Sequence, residues 1–153
     1  MVKISYGILL FREVGSEIFV LLAHPGGPLW GKKDFWTIPK GEAKPNEDKI
    51  STAKREFSEE TGLLAPDSEL IDLGEITQSS DKINHIWAAR TTSSDTSGFK
   101  SNYFPMEWPL HSGQLMQVPE IDKIQWFDLA SAEIKLFDKQ KQFISRLREA
   151  LEL

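Results

Sequence analysis

Apolar residues crowd two early stretches, "KISYGILLF" (3–11) and "SEIFVLLAH" (16–24), parted by the charged, glycine-bearing "REVG". Both are rich in β-branched and aromatic residues and the break suits a turn, so the pair predicts an antiparallel hairpin. "HPGGPLWGKKD" follows as a loop dense in Gly and Pro, and "FWTIP" reads as a short strand ended by Pro39 and Gly41. From Asn46 the apolar spacing changes to three and four: Ile50, Ala53, Phe57 and Thr61 form a helical stripe, with Asn46 as its N-cap and Gly62 closing it. "LIDLGEITQ" and "NHIWAART" return to strand character. Residues 91–119 are polar and lack a period, which predicts an irregular loop of functional or mobile character. "EIDKIQWFDL" is a further strand, and "SAEIKLFDKQKQFISRLREALEL" predicts one amphipathic helix burying Ile134, Phe137, Phe143, Ile144, Leu147 and Leu151. Strands on both sides of a central helix, with a second helix at the end, predict an α/β or α+β sandwich.

With 153 residues, 40% of them hydrophobic and 27% charged, the chain suits one domain spanning 1–153. It has no cysteine, which excludes disulfides, thiolate metal sites and a cysteine nucleophile. "ISYGILLF" is too short to span a membrane and lacks the marks of a signal peptide, so no membrane partner and a cytoplasmic location are expected. A net charge of −5 argues against polymeric nucleic acid as a partner, while a small phosphorylated ligand stays open if a cation offsets the acids. His24, His85 and His111 are too scattered for a histidine metal site. Neither a G-x-S-x-G elbow nor a G-x-x-x-x-G-K-[ST] loop is present.

One segment carries more. In "GEAKPNEDKISTAKREFSEETGL" (41–63), helical spacing puts Glu56 one turn from both Glu59 and Glu60, although like charges at these spacings repel. The face is either simply solvated or a seat for a hard divalent cation, which takes oxygen ligands. Arg55 can fork onto a carboxylate, and Glu47, about two turns earlier, can reach the same arginine.

Gly41, Glu47, Arg55, Glu56, Phe57, Glu59, Glu60, Gly62 and Leu63 stand at spacings that resemble the signature box of the Nudix hydrolases throughout its length. Seven fixed identities make a chance match on the order of one in 10^8 per alignment start, from average residue usage. Phe57 is the one departure in kind, since that slot is more often aliphatic. The resemblance implies an α/β/α sandwich with a mixed central sheet and a loop-helix-loop motif. It also implies Mg2+ or Mn2+ and hydrolysis of a nucleoside diphosphate linked to another group by metal-activated water. Carried over, Glu56, Glu59, Glu60, the carbonyl of Gly41 and Glu120 are expected metal ligands, with Arg55 and Glu47 supporting them. Glu59, Glu120, Arg55 and Lys40 are the expected catalytic residues. The general base is open among Glu59, Glu120 and Glu107.

Outside the box, "W-x-x-P-K-G" (36–41) is similar to the approach in dinucleoside polyphosphate and diphosphoinositol phosphate hydrolases, and Glu120 lies six residues before Trp126 as in the dinucleoside tetraphosphate hydrolase branch. The wider loops look like those of bacterial predicted nucleoside triphosphate pyrophosphohydrolases. Lys40, Lys32 and Lys33 are candidates for phosphate, and the loop aromatics Trp30, Tyr103, Phe104 and Trp108 for a base; each also has an ordinary surface or packing reading. A nucleoside triphosphate or dinucleoside polyphosphate is the expected substrate. A non-catalytic nucleotide-binding regulatory domain, a diphosphoinositol phosphate hydrolase or a nucleotide-sugar hydrolase are the alternatives, and a homodimer is expected from the resemblance.

Overall fold

The two early apolar runs pair as an antiparallel hairpin, β1 (Lys3–Val14) with β2 (Glu17–Pro25), in the computed structural model, which describes residues 1–153. After them come β3 (Lys40–Glu42), α1 (Lys49–Thr61), β4 (Leu70–Ser79), β5 (Lys82–Arg90), β6 (Tyr103–Glu107), β7 (Leu115–Pro119) and β8 (Ile121–Asp128). The chain ends in α2 (Leu129–Lys135), a 3-10 turn at Asp138–Gln140, and α3 (Lys141–Ala150). The main sheet runs β4-β5-β1-β2-β8, with β3 also paired to β1. β1 and β5 are parallel and the other pairs antiparallel, so the sheet is mixed.

Alternation along β1 sends Ile8 and Leu10 to one face and Leu9 and Phe11 to the other. The first face packs under Ala53 and Phe57 of α1, the second under Phe143, Ile144 and Leu147 of α3 with Leu129 and Ala132 of α2. Helices therefore cover both faces, which is the expected α/β/α sandwich. No helix is long and apolar enough to cross a membrane.

The structure corrects the local expectations in five places. The N-cap of α1 is Asp48, whose carboxylate accepts from the Ser51 amide at 2.8 Å; Asn46 instead takes a left-handed turn position (φ 65°). Ile50 is 41% exposed, and Thr52 is buried beside Ala53. "FWTIP" makes only single bridges, Thr37 to Ala23 and Trp36 to Leu136, because Pro39 has no N–H to extend a ladder. Within 91–119, β6 and β7 pair as a second, two-stranded sheet. The C-terminal helix is broken at Leu136, where the Trp36 amide donates to the Lys135 carbonyl and the Phe137 amide to the Trp36 carbonyl. That tertiary pairing outweighs the helical continuity that the sequence period suggests, and it leaves Ile134 75% exposed.

Candidate active site

The box helix is fixed at both ends by its own sequence. Asp48 caps the start, and Gly62 closes the end with φ 74° and its amide on the Ser58 carbonyl, a left-handed conformation that glycine adopts without a Cβ penalty. Between them Arg55 uses its full fork. Nε and Nη2 donate to the Glu47 carboxylate at 2.8 and 2.9 Å, Nη2 also to the Glu42 carbonyl at 3.0 Å, and Nη1 to Glu56 at 2.8 Å and Glu59 at 3.0 Å. These bonds, that to Glu47 foremost, push the guanidinium further up from its ordinary value and draw the Glu47 carboxyl down to about 2. The arginine thus offsets the charge crowding and sets the rotamers of the acids around it.

Glu60 differs from its neighbours. Ala53, Phe57, Glu60 and Thr61 share the buried side of α1, so a carboxylate occupies a position where an apolar residue would fit, with 4% exposure. Burial pushes its pKa well up; Glu120 and Glu56 add to the rise, and Lys40 opposes it. Glu56 is also raised, by burial first, with Arg55 working against the shift. Lys40 is lowered by burial and partly restored by Glu60. Glu56 presses so closely on the backbone that a Cβ at residue 41 would lie 2.1 Å from its carboxyl carbon, so any side chain there would displace the Glu56 carboxylate.

A cavity of about 290 Å3 opens at this point, lined by Lys40, Glu60, Glu120, Thr37, Trp30 and Phe137, with Pro25 and Ile121 completing it. Trp30 meets Phe137 edge-on at 5.4 Å, and Phe35 stacks on Phe137 at 5.6 Å and 7°. One wall is therefore aromatic and the other acidic around a lysine.

No three acidic or histidine side chains stand arranged to hold a metal ion as they are, because Arg55 draws Glu56 and Glu59 to itself. The donor set nevertheless fits a hard cation. It is all oxygen, it crowds buried and half-buried carboxylates, of which Glu56 and Glu60 have their charged form disfavoured by burial and by neighbouring acids, and it lies against a glycine that admits the approach. Glu56, Glu59 and Glu60 would hold such an ion together with the Gly41 carbonyl.

The structure brings Lys40, Gly41, Glu56, Glu59, Glu60, Arg55 and Glu47 together, with Glu120 delivered from the β7–β8 junction, and it adds Trp30. Other candidates lie apart. Lys32 and Lys33 are exposed and outside the cavity lining, the Lys33 ammonium sitting 4.8 Å over the Trp30 ring. Tyr103 lines a separate groove with Phe99, Lys100 and Asp122. Trp108 and Phe104 belong to the β6–β7 hairpin, and Glu107 accepts from the His111 and Gly113 amides, which commits its carboxylate to the hairpin turn. Phe137, Thr37 and Gln140 were not expected in the site. Buried Gln140 accepts from the Ile38 amide at 2.9 Å and donates to Thr37 Oγ1 at 2.9 Å, and that hydroxyl accepts from Lys40 Nζ at 3.5 Å. A polar residue at a stripe position, three and four residues before Phe143 and Ile144, was the available signal for Gln140.

The family model for the NUDIX domain matches residues 1–147. The chain belongs to the Nudix family. Nudix proteins are mostly pyrophosphohydrolases of nucleoside diphosphate-linked substrates and typically use divalent metal ions. Among solved structures, a C. elegans Ap4A hydrolase binary complex is similar with TM-score 0.68 and 19% identity, covering 99% of this chain and 98% of that one. The NUDIX domain of Shewanella oneidensis NrtR, complexed with ADP ribose, gives 0.67 and 17%, covering 99% and 89%. A mutT/nudix family protein from Listeria innocua gives 0.63 and 16%, covering 98% and 94%. At these identities the likeness is one of fold. No curated protein matches the sequence.

Proposed function

We propose that this Nudix protein is a metal-dependent pyrophosphohydrolase whose substrate is a nucleoside triphosphate or a dinucleoside polyphosphate. The observation that carries the reading is the single cavity in which Lys40, Glu60 and Glu120 face an aromatic wall of Trp30 and Phe137, beside the Arg55-ordered glutamates. A divalent cation supplies, when bound, charge neutralisation on phosphoryl oxygens and a more acidic water. The chain's own groups do the rest. Lys40 faces the developing charge on the phosphate, and its half-buried setting strengthens that interaction. Glu120 reaches the cavity from an exposed position and takes the proton of the attacking water, whereas Glu59 is engaged by Arg55. Trp30 offers a ring face for a nucleobase.

A non-catalytic nucleotide-binding domain is the alternative, prompted by the fold likeness to NrtR. Retention of Glu56, Glu59 and Glu60 favours the enzyme. Purified protein with Mg2+ is incubated with nucleoside triphosphates, dinucleoside polyphosphates, nucleotide sugars and diphosphoinositol phosphates, with Glu59→Gln alongside. Turnover of one class, lost in the variant, supports the proposal. Ligand binding without cleavage under Mg2+ or Mn2+ overturns it in favour of the binding domain.

A further inference from the structure

We infer that His24 is a positioning residue that fastens the 26–34 loop to β8 and thereby holds the Trp30 wall of the cavity in place for the substrate. The substrate half of this inference rests on the proposed function; the fastening does not.

His24 is 2% exposed and stands where the β2–β8 register slips between His24 and Pro25. Its ring lies between two acceptors, with Nδ1 2.7 Å from Asp122 Oδ1 and Nε2 2.5 Å from the carbonyl oxygen of Lys33. Edge-on packing against Trp36, at 4.9 Å, fixes the ring plane. The loop has little other hold. Its start is tied by the Gly26 amide to the Glu120 carbonyl at 3.1 Å, and its end by Asp34 to Trp36 Nε1 and Lys135. Inside it there are two local bonds, Gly31 amide to Gly27 carbonyl and Lys33 amide to Trp30 carbonyl. His24 is the one side chain from outside that bonds between these ends, and the Lys33 carbonyl it holds is three residues from Trp30. The Asp122 carboxylate also lies against Gly31, 3.5 Å from where a Cβ would stand. Without the fastener the loop keeps its ends while Trp30, whose ring meets Phe137 and the Lys33 ammonium, loses its fixed place. A neutral imidazole donates to one of these acceptors and an imidazolium to both, and an amide side chain cannot span the two sides of the ring, so glutamine restores one contact at most.

The test uses the full chain with His24→Gln and the milder Asp122→Asn, whose site is partly exposed. Amide hydrogen exchange at Gly31 and Lys33 is followed together with steady-state kinetics on the substrate the wild type cleaves. We expect exchange at these two amides to rise about 10- to 100-fold in His24→Gln, as for loss of a buried bond, and less in Asp122→Asn, with amides of β1 and β5 unchanged. KM rises roughly tenfold while kcat holds within about a factor of two, the mark of lost binding without lost chemistry. Unchanged exchange in both variants overturns the fastening. Faster exchange with a fall in kcat at constant KM overturns the positioning role. A wild type that cleaves nothing defeats the proposed function instead, and the exchange result then decides the fastening by itself.

Discussion

The two faces of the central sheet are held together in different ways. Under α2 and α3 lies a continuous cluster of 18 buried apolar residues, closed by Phe143, Ile144 and Leu147. Under α1 the cluster has only seven, of which the helix contributes Ala53 and Phe57. Three more of the buried positions on α1 are Thr52, Glu60 and Thr61. The thin face is completed by polar ties instead: Thr52 donates to Glu47, Thr61 to the Phe57 carbonyl, and Arg55 to Glu42, Glu47, Glu56 and Glu59. A carboxylate is buried at a cost only where it has work to do or a partner beside it. The thick face therefore carries the stability, and the thin face is where the proposed function puts the chemistry.

The sharpest way to separate the two is to remove charge from one and volume from the other. Glu59→Gln or Glu60→Gln is expected to lower kcat by about 10^2- to 10^4-fold, the scale of losing acid–base or metal-linked catalysis, while thermal unfolding stays close to wild type. Large loss of stability with retained kcat would make these acids structural. Phe143→Ala, on the other face, is expected to cost about 3–5 kcal/mol in denaturant unfolding and to leave kcat of the folded protein unchanged. Arg55→Lys keeps the charge but loses the fork; about 1.5–3 kcal/mol of stability goes with it, and kcat falls too, because Glu56 and Glu59 are no longer oriented. Gln140→Leu strips the Ile38 amide and the Thr37 hydroxyl of their partner, with an expected loss of about 1–3 kcal/mol. If Thr37 guides Lys40, Thr37→Val raises KM and Thr37→Ser restores it.

The smallest effect is one of pH. The Glu47 carboxyl is held near 2 against an ordinary 4.5, so the folded state binds its proton less tightly than the unfolded one. The stability it contributes is fully present above about pH 4.5 and is lost as pH falls toward 2. Unfolding midpoints of wild type and Glu47→Gln should therefore differ at pH 6 and converge between pH 4.5 and the acid limit; a constant gap would show that Glu47 acts through shape alone.

Much of the site could be read from the linear chain because its parts are close in sequence. Helical spacing alone places Glu56 beside Glu59 and Glu60, and eight residues bring Glu47 to Arg55. The burial of Glu60 was half visible, since it stands seven residues after Ala53 and three after Phe57. The β6–β7 pair was not legible: Tyr103, Phe104 and Pro105 alternate with little apolar contrast, and the partner strand follows an irregular turn through Trp108 to Gln114. Of the loop aromatics, Trp30 lines the cavity and Trp108 follows β6 in the β6–β7 hairpin; composition marks an aromatic ring without saying where the loop carries it.

By itself the sequence determined the hairpin of β1 and β2, the box helix with its acids, and the family to which those residues belong, since periodicity and fixed spacing act over a few turns of chain. Only the tertiary structure decided that Glu120 reaches Glu60 and Lys40, that the last helix breaks so that Phe137 lines the cavity while Gln140 bonds Thr37 behind it, and that His24 meets the Lys33 carbonyl nine residues on. Each of these depends on pairing between distant strands or on the burial of a polar group. Such contacts form only when the whole sheet has closed around them, and no local pattern carries their free energy.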